Sequence, residues 1–265
     1  MKRAVLVVSF GTSYNESRIK TIEAIEQAIK AEFTDYELRR AFTSRIIIGI
    51  LRNRDGIEID GVSEALVRLA EDGYTHILVQ PTLVMGGEEN DRMLDAVEQH
   101  RNRFERIVCG NPLLTEEADY ETLTEVLIKD TKEYDEEGTE IIFMGHGTEH
   151  EANEIYRRLA GVFSQKGYKR YHIGTVEADP SFEEVREEVK KTNSKRMVLQ
   201  PLMIVSGDHA HNDMAGEEED SWKSQLEAEG YQVVCHLKGM GELKGVRQML
   251  VDHAKAAESE MEEKE

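Results

Sequence analysis

The stretch RMVLQPLMIVSGDHAHNDM, residues 196–214, decides how the rest of the chain is read. Met197-Val198-Leu199 is a short apolar run of the kind that forms a buried strand. Gln200-Pro201 is expected to end it, because proline has no N–H for a sheet ladder. A second apolar run over residues 202–205 leads into Gly207, Asp208, His209 and His211, with Asn212 and Asp213 next. Groups that bind a metal or move a proton thus gather just past the C-terminal end of a predicted parallel strand. In open α/β sheets that is where ligands sit.

A weaker copy lies upstream. Leu78-Val79-Gln80-Pro81 precedes Thr82-Leu83-Val84-Met85-Gly86-Gly87-Glu88-Glu89-Asn90, so Pro81 maps to Pro201, Gly87 to Gly207 and Glu89 to His209 at one offset of 120 residues. A second echo sets Ser9-Phe10-Gly11-Thr12 against Gly145-His146-Gly147-Thr148 at an offset of 136, which places Phe10 opposite His146. Both pairs come just after predicted strands and occur in the same order, the signature of two similar halves with the imidazoles on the second.

Between these landmarks strands alternate with helices. Strands are predicted near residues 4–8, 36–42, 75–80, 106–109, 140–144, 171–176, 197–200 and 231–235. Helices are predicted over 63–71, 90–103, 116–133, 151–166, 182–192 and 215–229, with a last one from about 242. Ser13 with Glu16, and Thr148 with Glu151, read as helix caps. Ile19, Ile22, Ile25 and Ile29 recur at helical spacing, and Thr43-Ser44 opens a helix carrying Ile46, Ile47, Ile50 and Leu51. The alternation predicts an α/β fold of mostly parallel sheets with helices on both faces. The charged segment 132–138 is the expected connection, giving domains 1–135 and 136–265.

The chain has 265 residues, 39% of them hydrophobic, and a formal net charge of −20. That excess argues against sequence-independent nucleic-acid binding, which needs clustered positive charge. It lies on helices and in the tail from Glu258, and is expected to be solvated surface. No apolar run approaches a membrane span, and the first strand is too short for a signal-peptide core, so a cytoplasmic location is expected. Cys109 and Cys235, the only cysteines, end predicted strands in equivalent places and read as buried thiols.

Three polar groups stand just past three strands of the second half: His146, Glu177 and His209. In a parallel sheet those ends face the same way. Two imidazoles and a carboxylate suit a divalent transition ion, and imidazole accepts a proton near neutral pH. The competing reading for His146 is a helix cap or a backbone hydrogen bond, and for Glu177 an ordinary loop carboxylate. The chain lacks a GxGxxG after its first strand, a P-loop, a Gly-x-Ser-x-Gly elbow and a His-Glu-x-x-His helix, which disfavours nucleotide chemistry and serine hydrolysis. A metal-dependent hydrolase, or a protein that binds a metal without turnover, remain alternatives.

The motifs VVSFGTSYNES (7–17), AFTSRIIIGILRNRDGIEID (41–60), FMGHGTEH (143–150), GTVEADP (174–180) and LMIVSGDHAHNDM (202–214), with DSWK after the last, resemble the anaerobic sirohydrochlorin cobaltochelatases, class II tetrapyrrole chelatases. The similarity runs in order over nearly the whole chain. It implies two chelatase-like domains, each a four-stranded parallel sheet flanked by helices, with an active-site cleft between them. It implies ATP-independent insertion of Co²⁺ into sirohydrochlorin (or precorrin-2) in the early-cobalt-insertion route to cobalamin, with no nucleotide cofactor. Fe²⁺ or Ni²⁺ chelation and non-catalytic binding are the alternatives within that resemblance.

By the same resemblance the active histidine falls on His146 and the metal-site residues on Glu177 and His209. A further acidic residue falls on Glu89, with Glu88 the alternative. His146 is expected as general base and ligand. Sirohydrochlorin carries eight carboxylates, so an acidic protein must keep its acid excess from the ring. Arg45, Arg52 and Arg54 are the expected carboxylate partners, since guanidinium pairs with carboxylate bidentately. Phe10, Leu83, Val84, Met85, Leu202 and Met203 are candidate apolar contacts for the ring, with plain core the competing reading. No nucleic acid or membrane partner is expected, and relatives suggest a homo-oligomer.

Overall fold

The computed structural model describes residues 2–262 and divides into two α/β units. The first takes in the described residues up to 115 and again from 246, the second 116–245. The boundary therefore differs from the expected break near 135. Helix Glu117–Thr131 belongs to the second unit, and most of the last helix, Lys244–Glu262, returns to the first. That helix absorbs the expected acidic tail up to residue 262; residues 263–265 lie outside the described residues.

In the first unit five parallel strands, β1 (Arg3–Ser9), β2 (Glu37–Phe42), β3 (Asp60–Gly61), β4 (His76–Pro81) and β5 (Arg106–Cys109), run in the order β3-β2-β1-β4-β5. The expected four strands are present, and the two-residue β3 adds an edge that leaves no periodic signal. In the second unit β6 (Thr139–Gly145), β7 (Tyr171–Thr175), β8 (Arg196–Pro201) and β9 (Gln232–Cys235) run β7-β6-β8-β9, all parallel. Helices cover both faces, so the central strands are apolar without alternation. Residues 4–8, 141–144 and 197–199 are completely buried. Among the described residues no helix is long and apolar enough to cross a membrane.

The repeat holds at the level of register. Val8 pairs with Pro81, and Met144 with Pro201; Val79 pairs with Cys109, and Leu199 with Cys235. Loop hydrogen bonds repeat as well: Thr82 N donates to Val8 O at 2.8 Å and Leu202 N to Met144 O at 2.8 Å. Pro81 and Pro201 close their strands from inside. Each missing donor faces the side where pairing to β5 or β9 has already ended, the place a sheet tolerates proline. Burial pushes both cysteine thiols up to about 11, which fits inert packing groups.

Some local expectations fail for identifiable reasons. Glu16 and Ser13 form no capping box; Thr12 Oγ1 accepts from Tyr14 N instead, and the helix starts at Asn15. Ile22, Ile25 and Ile29 are buried but Ile19 is exposed, because a wide π-type turn over Ile19–Glu23 shifts the register of the face. The helix expected from 215 is displaced: Ala210–Met214 forms a wide turn, and the helix proper is Trp222–Ala228, capped by Ser221. In helix Arg45–Ile50 no residue is fully buried, and Ile46 is 76% exposed.

Candidate metal centre

β7, β6 and β8 are neighbours, and His146, Glu177 and His209 come just after their C-terminal ends. The chain crosses here from one side of β6 to the other, which opens a crevice at the strand ends. The His146 turn is set by its flanking residues. A Cβ on Gly145 would lie 2.2 Å from the Tyr156 ring, and Gly147, at φ +85°, sits where a Cβ would be 2.8 Å from Ala178 N. Tyr156 OH accepts from Gly147 N at 3.3 Å. His146 O in turn accepts from Val176 N at 3.1 Å and Glu177 N at 2.9 Å, which fixes the Glu177 loop to the His146 loop. Asn153 ties both: its Oδ1 accepts from Thr148 N at 3.0 Å and its Nδ2 donates to Asp179 O at 2.5 Å.

These constraints bring one ligand atom from each of His146, Glu177 and His209 within 4.8 Å of one another. The imidazole centroids are 4.7 Å apart with planes at 86°, and His146 Nδ1 lies 3.8 Å from Glu177 Oε2. Metal–ligand bonds of roughly 2.1 Å hold donor atoms about 3.4 Å apart, so closure needs about an ångström of side-chain rotation. Glu177, with its side chain 55% exposed, is free to supply it. His209 and His146 are half-buried, so the centre faces outward rather than being sealed.

Hydrogen bonds select the imidazole tautomers. His146 Nδ1 is 2.7 Å from Gly147 O and His209 Nδ1 is 2.6 Å from Asp213 Oδ2. A carbonyl and a carboxylate accept, so each Nδ1 carries the proton and each Nε2 keeps its lone pair for a metal or a proton. The backbone hydrogen bond weighed against a functional role for His146 is thus present, and it favours the ligand form. Asp213 did not stand out among the polar residues of its stretch. Its i, i+4 spacing from His209 is a weak signal, since the contact itself is made by the wide turn Ala210–Met214.

A profile of the cobalt chelatase family, CbiK, matches residues 3–259. The chain belongs to the CbiK family. It is 38% identical over 253 residues to the sirohydrochlorin cobaltochelatase of Salmonella typhimurium, covering 96% of this chain and 95% of that protein. It is 30% identical over 267 residues to the sirohydrochlorin cobaltochelatase CbiKC of Nitratidesulfovibrio vulgaris, covering 99% and 93%. Among solved structures, SirB from Bacillus subtilis with Fe³⁺ aligns at a TM-score of 0.70 and 16% identity, over 98% of each chain. The structure of SirB with cobalt aligns at 0.63 and 15%, over 98% and 97%. At those identities the structural likeness shows the fold.

The other candidates of this CbiK chain separate by position. Glu89 belongs to the first unit, on the opening turn of helix Glu88–His100, and is not part of the His146 group. It is half-buried and lines a pocket of about 560 Å³, whereas Glu88 is exposed. Arg45 and Arg52 line the same pocket, with Arg68 and Arg92, which the sequence did not single out. Arg54 is absent from that lining and is held by Asp55 and Ser13 O. Phe10 is 46% exposed just past β1. Leu83 and Leu202 are core residues and not available to a ring; Val84, Met85 and Met203 are half-buried. His150 caps the turn Glu151–Glu154 by accepting from Ala152 N at 3.0 Å, in place of Thr148. His172, given no role from sequence, is half-buried and meets the buried Glu140 at 2.8 Å, a structural pair far down the strand.

Proposed function

We propose that this CbiK-family chain is a sirohydrochlorin cobaltochelatase, inserting Co²⁺ into sirohydrochlorin without a nucleotide in the early-cobalt-insertion route to cobalamin. The observation that carries the reading is the convergence of His146, Glu177 and His209 on one sheet end, in a chain whose curated relatives bear that activity in their names. The reaction exchanges one Co²⁺ for two pyrrole protons. Two neutral imidazoles and one carboxylate hold the ion while leaving it a net positive charge, so it is bound without being trapped.

His146 serves first as a ligand and then as the general base: as the ion passes from its Nε2 to the ring nitrogens, that lone pair is released to take one pyrrole proton. Its Nε2 is free because Nδ1 is committed to Gly147 O, and its half-buried, outward-facing position suits contact with a ring nitrogen. His209 and Glu177 hold the metal. Base assistance of this kind is worth ~10²–10⁴-fold, and setting the ion against the ring nitrogens adds a proximity effect. Glu89 accepts protons or guides the ion: one oxygen holds Arg92 at 2.7 Å and the other is buried without a hydrogen-bond partner. Arg45 and Arg52 pair with ring carboxylates, and exposed Phe10 supplies an apolar contact. Arg54, already engaged, has no part in this reading. The protein works in the cytoplasm, as a homo-oligomer.

The test is anaerobic absorbance of protein, sirohydrochlorin and Co²⁺, beside a His146→Ala variant and parallel runs with Fe²⁺ and Ni²⁺. Rapid conversion to the cobalt complex in wild type, slowed by at least ~10²-fold in the variant, is expected. Ring binding without acceleration for any metal would remove the enzyme from the account.

A further inference from the structure

His146 offers Nε2 to an ion only while its proton sits on Nδ1, and Gly147 O accepts that proton at 2.7 Å. This carbonyl belongs to the peptide that joins Gly147 to Thr148. A peptide is planar and trans, so the direction of its C=O follows from that of its N–H. The N–H here is that of Thr148, and it donates to Asn153 Oδ1 at 3.0 Å. Through one rigid plane, Asn153 therefore aims the acceptor that decides which imidazole nitrogen is protonated.

Glycine makes that aim necessary. Position 147 takes φ +85° with Ala178 N only 2.8 Å from any added Cβ, so the loop needs glycine there. Without a Cβ, the peptide that follows rotates at little steric cost. The preceding peptide, between His146 and Gly147, is held at both ends: its N–H by Tyr156 OH, its C=O by Val176 N and Glu177 N. The peptide between Gly147 and Thr148 has only Asn153 on its N–H and His146 on its C=O among the described residues. The Asn153 amide has one possible orientation. Thr148 N can only donate, and Asp179 O, which meets Asn153 Nδ2 at 2.5 Å, can only accept. Asn153 is itself anchored in the turn Glu151–Glu154, where its N donates to His150 O at 3.0 Å. His209 reaches the same tautomer by another device, a carboxylate placed directly on Nδ1 by Asp213.

We propose that Asn153 is a positioning residue that keeps His146 in its metal-binding tautomer. The proposal rests on His146 being a ligand through Nε2. It gives Asn153 two separable tasks: Oδ1 aims the partner of the imidazole, and Nδ2 steadies the Glu177 loop through Asp179. The aimed carbonyl also raises the basicity of His146 as a ligand, as partners of ligating imidazoles generally do.

The experiment is ¹⁵N NMR of the imidazoles in metal-free protein at about pH 8, where they are neutral, with an anaerobic Co²⁺ titration of the same samples. The samples are wild type, Asn153→Ala and Asn153→Asp, with Asn153→Leu, close in volume and without polar atoms, in place of the alanine variant should that one melt early. Signals lost in His146→Ala and in His209→Ala assign the two rings. Wild type should show both rings protonated at Nδ1. Asn153→Ala should turn His146 into a mixture of tautomers and weaken Co²⁺ binding about tenfold, the lower end of the cost of removing such a partner, while His209 keeps its Nδ1 proton. Asn153→Asp keeps an acceptor for Thr148 N and loses the donor to Asp179, so His146 should keep its tautomer there. That rescue, with the constancy of His209, separates aiming the carbonyl from a general loosening of the loop. If His146 stays wholly Nδ1-protonated in Asn153→Ala, or loses that tautomer equally in Asn153→Asp, Asn153 does not aim the carbonyl and the metal centre stands. If His146→Ala binds Co²⁺ as tightly as wild type, His146 is not a ligand, and the reading of the centre and this inference fall together.

Discussion

Two hydrogen bonds set what the imidazoles can do. His146 gives its Nδ1 proton to Gly147 O and His209 gives its own to Asp213, so both Nε2 atoms are left as donors to an ion. Asp213 is therefore a positioning residue, with its side chain 44% exposed and few other duties. Asp213→Ala should lower Co²⁺ affinity by ~10–100-fold, the usual cost of removing such a partner, with little change in melting temperature. Anaerobic Co²⁺ titration beside a thermal melt checks both. An equal loss of stability and affinity would mean that Asp213 merely supports the fold. The grouping of His146, Glu177 and His209 was legible in the sequence because each follows a strand of one parallel sheet at the same end. Asp213 was not, since its contact depends on the wide turn Ala210–Met214. Arg68 and Arg92 were hidden because their pocket is assembled from segments far apart in sequence.

At the scale of elements, the site depends on loops that cannot shift. Gly147 combines a left-handed φ of +85° with backbone 2.8 Å from any added Cβ. Gly147→Ala should cost ~1–3 kcal/mol of stability and, by pushing on Ala178 beside Glu177, weaken Co²⁺ binding as well; denaturant unfolding and metal titration on one sample would show both. A second tie lies at Asp130, at the end of helix Glu117–Thr131. It accepts from Gln200 at 3.0 Å and Lys238 at 2.5 Å, with His236 3.6 Å away. Burial pushes its carboxyl up, but the nearby His236 imidazole and the hydrogen bonds from Lys238 and Gln200 outweigh that and hold it at about 2. A native pKa below the unfolded value of 3.8 means stability that is full above about pH 4 and is lost as pH falls toward 2. Asp130→Ala should thus cost ~2 kcal/mol at pH 7, and the gap to wild type should shrink steadily below pH 4. Urea unfolding at a series of pH values measures it, and a gap independent of pH would overturn the assignment. The order of strands and helices was legible from apolar runs and breakers. The wide turns were not, because a single extra residue in a helical turn leaves no mark on a periodic pattern.

At the scale of the molecule, one architectural unit occurs twice with different equipment. The shared register of Val8–Pro81 with Met144–Pro201 shows that the sequence echoes reflect a structural repeat. The domain limits were not legible: helix Glu117–Thr131 groups with the second unit and most of the last helix with the first, a choice made by tertiary packing rather than by any breaker in the chain. The repeat gives the central claim its sharp form. Among the described residues the second copy alone brings two imidazoles and a carboxylate together, so each chain should hold a single transition ion, at His146, Glu177 and His209. The most direct test is an anaerobic Co²⁺ titration of wild type and a His146→Ala/His209→Ala variant, read by ligand-field absorption and by X-ray absorption for the ligands. One equivalent bound through two imidazole nitrogens, and lost in the double variant, is the predicted result. Stoichiometric binding that survives in the double variant would contradict it.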